Sequence, residues 1–148
     1  MIKWKRRNIP IPEAHVVGLV LGCILQVFFA HKIFQATWIG HGIGWPLIVA
    51  GIGLSLWSVL EVREMDIAAP NKLLTSGPYA YSRNPMYVGW MLIYLGISLV
   101  ANSVWIIGLF PIVAAYIHFV NIRREERTLE QAFEDHYIEY CRRVRRYF

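Results

Sequence analysis

The stretch from Asn84 to Ile122, NPMYVGWMLIYLGISLVANSVWIIGLFPIVAAYIHFVNI, holds 39 residues without one Asp, Glu, Lys or Arg. As a single helix rising about 1.5 Å per residue it would extend roughly 58 Å, nearly twice the ~30 Å hydrocarbon core of a bilayer. It therefore has to turn back on itself. Asn102-Ser103 is the polar break at its middle, so the pattern predicts two short antiparallel spans, Met86 to Ala101 and Val104 to Val120.

Outward from this stretch, two more uncharged runs, Ala14 to His31 and Gln35 to Leu60, come close to or exceed the ~20 residues a crossing helix needs. They place span one at about Glu13 to Phe34 and span two at about Ile43 to Leu60, the second introduced by a turn at Gly40-His41-Gly42-Ile43-Gly44. Within span one, Gly18-x-x-x-Gly22 has the spacing that lets helix backbones approach closely. After the fourth span, Leu129, Phe133, Tyr137 and Tyr140 recur every three or four residues, the mark of an amphipathic helix. Trp38, Trp45 and Trp105 fall near predicted span ends, where interfacial indoles are common. The expected fold class is all-α: one integral membrane domain over residues 1–148, a polytopic bundle of about four transmembrane helices with a C-terminal cytoplasmic amphipathic helix. A composition of 56% hydrophobic and 17% charged residues, far from the soluble balance, agrees.

The basic residues set the orientation. Lys3, Lys5, Arg6 and Arg7 precede span one, Arg63, Lys72 and Arg83 lie in the central loop, and Arg123, Arg124, Arg127, Arg142, Arg143, Arg145 and Arg146 lie in the tail. That puts 14 of 15 on one side and leaves Lys32 near the other, so the positive-inside rule makes both termini and the central loop cytoplasmic. In a prokaryote this would be a multi-pass protein of the inner membrane. The net charge of +5 is explained by anionic lipid headgroups beside the spans, and no nucleic-acid partner is expected. The apolar run after Arg7 is long for a signal peptide and no clear small-x-small cleavage site follows it, so a retained first span is expected.

Several familiar chemistries are absent from the sequence. Cys23 in a span and Cys141 in the tail are predicted to lie apart, and His15, His31, His41, His118 and His136 show no metal-ligand spacing, so neither a disulfide nor a metal site is expected. Gly51-x-Gly53 lacks the third glycine of a dinucleotide fingerprint and lies in a span. Two features remain. One is Leu73-Leu74-Thr75-Ser76-Gly77-Pro78-Tyr79, followed by Tyr81-Ser82-Arg83-Asn84-Pro85-Met86-Tyr87-Val88-Gly89, in the longest internal loop, Glu61 to Pro85, and the start of span three; the other is Glu125-Glu126, just past span four. Read as structure alone, the first is a turn into span three with Arg83 on lipid phosphates, and the second a solvated helix start.

Together with the ending Leu129, Phe133, Tyr137, Tyr140, Arg143-Val144, these features resemble the isoprenylcysteine carboxyl methyltransferase family, itself similar to membrane phospholipid methyltransferases. That family's pattern is an Arg-His-Pro-x-Tyr-x-Gly segment, an apolar helical hairpin and then Glu-Glu, and the match covers about residues 70–146 in order and spacing. The resemblance implies an S-adenosylmethionine-dependent membrane methyltransferase whose cofactor site is lined by Arg83, Asn84, Pro85, Tyr87, Gly89, Glu125 and Glu126, with Leu73, Leu74 and Tyr79 in its wall. Glu126 and Arg83 are the candidate catalytic residues. Two positions depart from the pattern: Asn84 stands where the family has His, and Glu134 where the tail has Gly after Phe. Asn donates and accepts hydrogen bonds but cannot carry a proton near neutral pH.

These residue types suit the chemistry. S-adenosylmethionine presents a sulfonium, an ammonium, a carboxylate and a purine; carboxylates, a guanidinium and phenol rings are complementary to them. In-line methyl transfer is accelerated chiefly by holding the acceptor close and aligned. A carboxylate acceptor such as a prenylated cysteine needs no base, whereas a lipid amine must lose a proton, for which Glu125 or Glu126 is a candidate. The expected partners are a lipophilic or lipidated substrate and membrane lipids. Two rival readings are an NADPH-dependent membrane reductase of the sterol or steroid type, which shares an Arg-His-Pro-x-Tyr segment, and a small membrane scaffold without turnover. Glu125-Glu126 followed by Leu129, and only four spans, favour the methyltransferase pattern over the reductase.

Overall fold

The computed structural model describes residues 12–62 and 72–148, so the Lys3 to Arg7 cluster, Arg63 and Pro70 lie outside the described residues. The described chain is helical: α1 (Glu13–Phe28), α2 (Thr37–Val62), a short 3₁₀ turn at Gly77–Ala80, α3 (Pro85–Val100), α4 (Val104–Tyr116), a π-helical turn at Ile117–Ile122, and α5 (Arg123–Arg143). Two helical stretches are long and apolar enough to cross a membrane, α2 and the continuous rod Val104–Arg143, while α1 and α3 are shorter apolar helices. Large apolar side chains cover the outside of the bundle: Val17 and Val27 on α1, Val49 on α2 and Ile112 on α4 are all more than half exposed. Water would penalise such a surface heavily; lipid does not.

α2 and α3 form the tightest pair, and glycine is the reason. A Cβ on Gly96 would come within 2.7 Å of the Gly44 carbonyl, one on Gly51 within 2.6 Å of the Gly89 carbonyl, and one on Gly40 would collide with the Leu99 carbonyl. The expected turn at Gly40 to Gly44 is therefore not a turn. It is the first part of α2, which starts at Thr37 instead of Ile43, because those glycines let α2 lie against the C-terminal half of α3; packing without a hydrophobic drive between helices depends on such close approach. Gly18 and Gly22 do the same for α1, against Val113 and Tyr94 and against Ile106. Tyr94, Ile106, Val113, Ile117 and Ile122 form the buried core, and the Tyr94 hydroxyl donates to the Ile106 carbonyl at 3.0 Å.

Between α3 and α4 the polar break does more than turn the chain. Asn102 takes a left-handed conformation (φ 50°) between α3 and α4. Its Oδ1 accepts from the Ile33 and Phe34 amides at 3.0 and 2.8 Å, and its Nδ2 donates to the Phe34 carbonyl at 2.8 Å. Ser103 caps α4 by accepting from the Ile106 amide and donates to Gln26 Oε1 at 2.8 Å. Span one accordingly ends at Phe28, six residues earlier than expected, since the following backbone is held by Asn102 and no longer by its own helix.

The expected fourth span and the tail helix are not separate bodies. α4 passes through the π-helical turn straight into α5, and α5 kinks at Glu134, whose φ of 46° and ψ of −120° are strained for any residue with a side chain. This is the position where the sequence carries Glu in place of the expected Gly.

Candidate active site

Where α2 ends, α3 begins and α4 runs into α5, a cavity of about 390 Å³ opens. Its walls come from four parts of the chain. Val62 closes α2; Lys72, Leu73 and Leu74 come from the loop; Tyr79, Arg83, Asn84, Pro85, Met86 and Tyr87 come from the segment entering α3; and Asn121, Arg124, Glu125, Thr128, Leu129 and Tyr140 come from the helical rod.

The loop holds its shape through residues that leave little choice. Gly77 has φ 57°, and a Cβ there would press on the Glu61 carboxylate and the Trp57 indole, so only glycine fits without strain. Ser76 Oγ donates to Glu61, tying the loop to the last turn of α2. Pro78 is buried at the start of the 3₁₀ turn, which delivers Tyr79 to the cavity, and the Tyr140 hydroxyl donates to the Tyr79 carbonyl at 2.6 Å.

The chain's C-terminal residues then fold back beneath this loop as a latch. The Arg83 amide donates to the Arg145 carbonyl at 2.9 Å, and Ser82 Oγ and Asn84 Nδ2 donate to the Arg146 carbonyl at 3.2 and 3.3 Å. The Arg146 guanidinium grips Glu126 with two bonds, Nε to Oε1 at 2.9 Å and Nη2 to Oε2 at 2.6 Å, the fork geometry that makes Arg–carboxylate pairs strong. Arg83 Nη1 lies 3.4 Å from the same carboxylate and beside the Cys141 sulfur. Arg146 Nη1 also meets His118 Nε2 at 3.3 Å, and His118 Nδ1 meets the Tyr147 hydroxyl at 2.8 Å.

The two adjacent carboxylates consequently face different surroundings. Glu126 is largely buried and has a cation on each oxygen. Glu125 lines the cavity and is open to solvent through it, yet it is closely surrounded by protein; that burial pushes its carboxyl above the usual carboxylate range, with the Tyr87 hydroxyl partly offsetting the shift and Glu126 adding to it. Burial and the Glu125 charge likewise raise the Tyr79 phenol, and burial raises Tyr140 to about 12 against the pull of Arg83. Both phenols remain protonated donors.

Eight of the ten residues expected to line the cofactor site meet on the cavity wall: Leu73, Leu74, Tyr79, Arg83, Asn84, Pro85, Tyr87 and Glu125. Gly89 does not; it lies one turn deeper in α3, packed on Ser55 and Gly51 of α2. Glu126 sits behind the wall in its ion pairs, with both oxygens engaged. Asn84 spends its amide on the Arg146 carbonyl, a donor's task that needs no titratable group. Sequence reasoning missed Arg146, which it counted only as a topological charge, along with Lys72 and Arg124. Val62, Met86, Asn121 and Thr128 carried no signal of their own.

The family profile for phospholipid methyltransferases matches residues 39–136, which includes nearly all of α2, the loop, α3, α4 and most of α5. This chain belongs to that family. It is 31% identical over 141 residues to the cobalt-zinc-cadmium resistance protein CzcN of Cupriavidus metallidurans, covering 90% of this chain and 60% of that protein. It is 28% identical over 136 residues to protein-S-isoprenylcysteine O-methyltransferase B of Arabidopsis thaliana (84% and 66%), and 33% identical over 118 residues to the Xenopus laevis protein-S-isoprenylcysteine O-methyltransferase (74% and 40%). The matched stretch thus spans about 60% of the metal-resistance relative's length and less than half of the frog enzyme's. No solved structure matches the chain.

Proposed function

We propose that this chain is an integral membrane methyltransferase that uses S-adenosylmethionine to methylate a lipophilic acceptor. The observation that carries this reading is the make-up of one cavity, which combines Glu125, the cations Lys72 and Arg124, the phenols Tyr79 and Tyr87, and an Arg83 whose buried Nε has no partner among the described residues. Its volume of about 390 Å³ lies in the range of small-molecule sites. A ligand with separate cationic, anionic and apolar parts is complementary to such a wall, so the residues fit the cofactor that family membership implies.

When bound, S-adenosylmethionine supplies an electrophilic methyl group on a sulfonium. In this reading Glu125 attracts the cationic parts, while Arg83, Lys72 and Arg124 offer positive charge to the carboxylate and Leu73, Leu74 and Leu129 form the apolar slot. Glu126 acts as an anchor for Arg83 instead of a base, since both its oxygens are held by guanidinium groups. Acceleration then comes from alignment and exclusion of water, with no proton required from Asn84.

The charge distribution supports four spans, α1 to α4, with both termini and the central loop cytoplasmic and the cavity at that face. The acceptor enters laterally from the lipid and is an isoprenylcysteine carboxylate or a lipid headgroup, the first supported by the activity for which the plant and frog relatives are named. The test is saturable binding of labelled S-adenosylmethionine to purified protein in detergent, followed by methyl incorporation into a total membrane lipid extract. Saturable NADPH binding with none of S-adenosylmethionine, or equal incorporation by wild type and Glu125→Gln, would overturn the reading.

A further inference from the structure

The rod that carries Glu125 changes its winding just before it reaches the cavity. Ile117–Ile122 is a π-helical turn between α4 and α5. In an unbroken α-helix, residue 121 would follow Ile117 on the buried face, one turn on, and residue 122 would point away. Here Ile122 is the buried one, 0% exposed beneath an Ile117 at 1%. The wider turn therefore rotates everything after it by about one residue's step, roughly 100°. As a result Asn121, Arg124, Glu125, Thr128 and Leu129, at the i, i+3, i+4, i+7 and i+8 spacing of one helix face, border the cavity together. Turns of this kind occur often at functional sites.

Asn121 is the first of these five and lies nearest the lipid. Phe119 and Val120, just before it, are exposed apolar side chains, whereas Arg123 and Arg124 follow it. With four spans, this is the boundary between hydrocarbon and headgroups. Thr128 and Leu129, about two turns further along α5, lie toward the cytoplasm. A water-soluble cofactor arrives from their end, and an acceptor held in the lipid arrives from the end at Asn121. An amide at that depth is costly unless it is hydrogen-bonded, and the cavity is what Asn121 borders. Glu125 borders the same cavity one helical turn away, so groups held at the two positions share one space.

Resting on the methyl-transfer reading above, we propose that Asn121 binds the acceptor: its amide Nδ2 donates a hydrogen bond to one oxygen of a carboxylate carried on an apolar chain, leaving the other oxygen free to take the methyl group. A neutral donor suits this task, since it orients the anion without pairing the charge that makes it a nucleophile. A carboxylate also suits the rest of the site. Asn84 has no titratable proton, and Glu126 has both oxygens held by guanidinium groups, so neither can serve as the base that an amine would need. Transfer to a carboxylate needs none: its free oxygen forms the O–CH₃ bond as the S–CH₃ bond breaks, and the electron pair of the broken bond stays on sulfur.

Wild type, Asn121→Ala and Asn121→Asp test this by methyl transfer to N-acetyl-S-farnesylcysteine and to phosphatidylethanolamine in detergent, with the S-adenosylmethionine Kd measured on the same proteins. In Asn121→Ala the KM for N-acetyl-S-farnesylcysteine is expected to rise about tenfold, roughly one hydrogen bond to a charged group, with the cofactor Kd unchanged. Asn121→Asp keeps the size but sets an anion against the carboxylate, and is expected to lose more than Asn121→Ala. An unchanged KM in Asn121→Ala, a cofactor Kd weakened by the same factor, or an Asn121→Asp protein at least as active as Asn121→Ala would overturn the proposal. So would a wild type that methylates only phosphatidylethanolamine. A readout free of turnover is the side-chain amide resonance of Asn121, assigned by its loss in Asn121→Ala. It is expected to shift with N-acetyl-S-farnesylcysteine and not with the decarboxylated analogue; the same response to both would overturn the proposal. If wild type methylates neither acceptor, the methyl-transfer reading fails, and the resonance comparison still decides whether Asn121 binds a carboxylate.

Discussion

The two ends of the bundle treat polar groups in opposite ways. Around Asn102 the amide's oxygen and nitrogen are both used, Ser103 both caps a helix and reaches Gln26, and the loop after α1 is pinned at Ile33 and Phe34. At the other end, two of the three buried polar atoms that lack partners among the described residues, Arg83 Nε and His15 Nε2, belong to side chains that line cavities, and Glu125 is crowded without an ion pair among the described residues. Satisfied polar groups rigidify; unsatisfied ones cost stability. The difference marks one end as a clasp and the other as a site.

The largest expected effect breaks the site end through its latch. Glu126→Ala leaves Arg146 and Arg83 without their shared anion, and loss of one partner from a mostly buried pair costs about 3–5 kcal/mol. Thermal unfolding in detergent should show a much lower midpoint, with cofactor binding lost; a variant that melts like wild type would mean that the latch does not hold the loop. Asn102→Ala strikes the clasp instead. It removes three hydrogen bonds and places Ala at positive φ, for a loss of about 2–3 kcal/mol, while the S-adenosylmethionine Kd measured at a temperature where the variant is folded stays at the wild-type value.

Glu125→Gln should separate stability from function. Because the folded-state carboxyl titrates above its unfolded value, the folded protein binds more protons between those two values, and wild type loses stability as pH rises through that window. The variant is therefore expected to melt higher than wild type at neutral pH, with the advantage vanishing at pH values below the ordinary carboxylate range, and to bind the cationic cofactor at least tenfold more weakly. A lower melting point at neutral pH would show that Glu125 has a stabilising partner. The smallest effect concerns the α5 kink: Glu134→Gly relieves the strained backbone and should stabilise by about 1 kcal/mol without changing methyl transfer.

Most of the architecture was legible because it depends on local composition. Uncharged runs mark the apolar helices, and Asn102-Ser103 marks the reversal whatever the rest of the chain does. The Gly40 to Gly44 segment misled because glycine permits a turn and a close helix contact equally; only the approach of α3 selects the helix. The cavity residues were visible as a motif, since seven of them lie in two short segments and the eighth, Glu125, belongs to the Glu pair. The roles within that pair were not visible, because Glu125 and Glu126 are chemically identical and point to different neighbours.

The sequence by itself determined an all-helical, apolar bundle and singled out the loop motif and the glutamate pair. These properties follow from charge and hydropathy along the chain, which do not depend on distant contacts. The tertiary structure alone decided that Arg146 holds Glu126 and leaves Glu125 to the cavity, and that His15 and Tyr87 meet on the wall of a second, smaller cavity. Those outcomes depend on ångström-scale pairings between segments 20 to more than 60 residues apart, set by how closely the glycines let the helices pack.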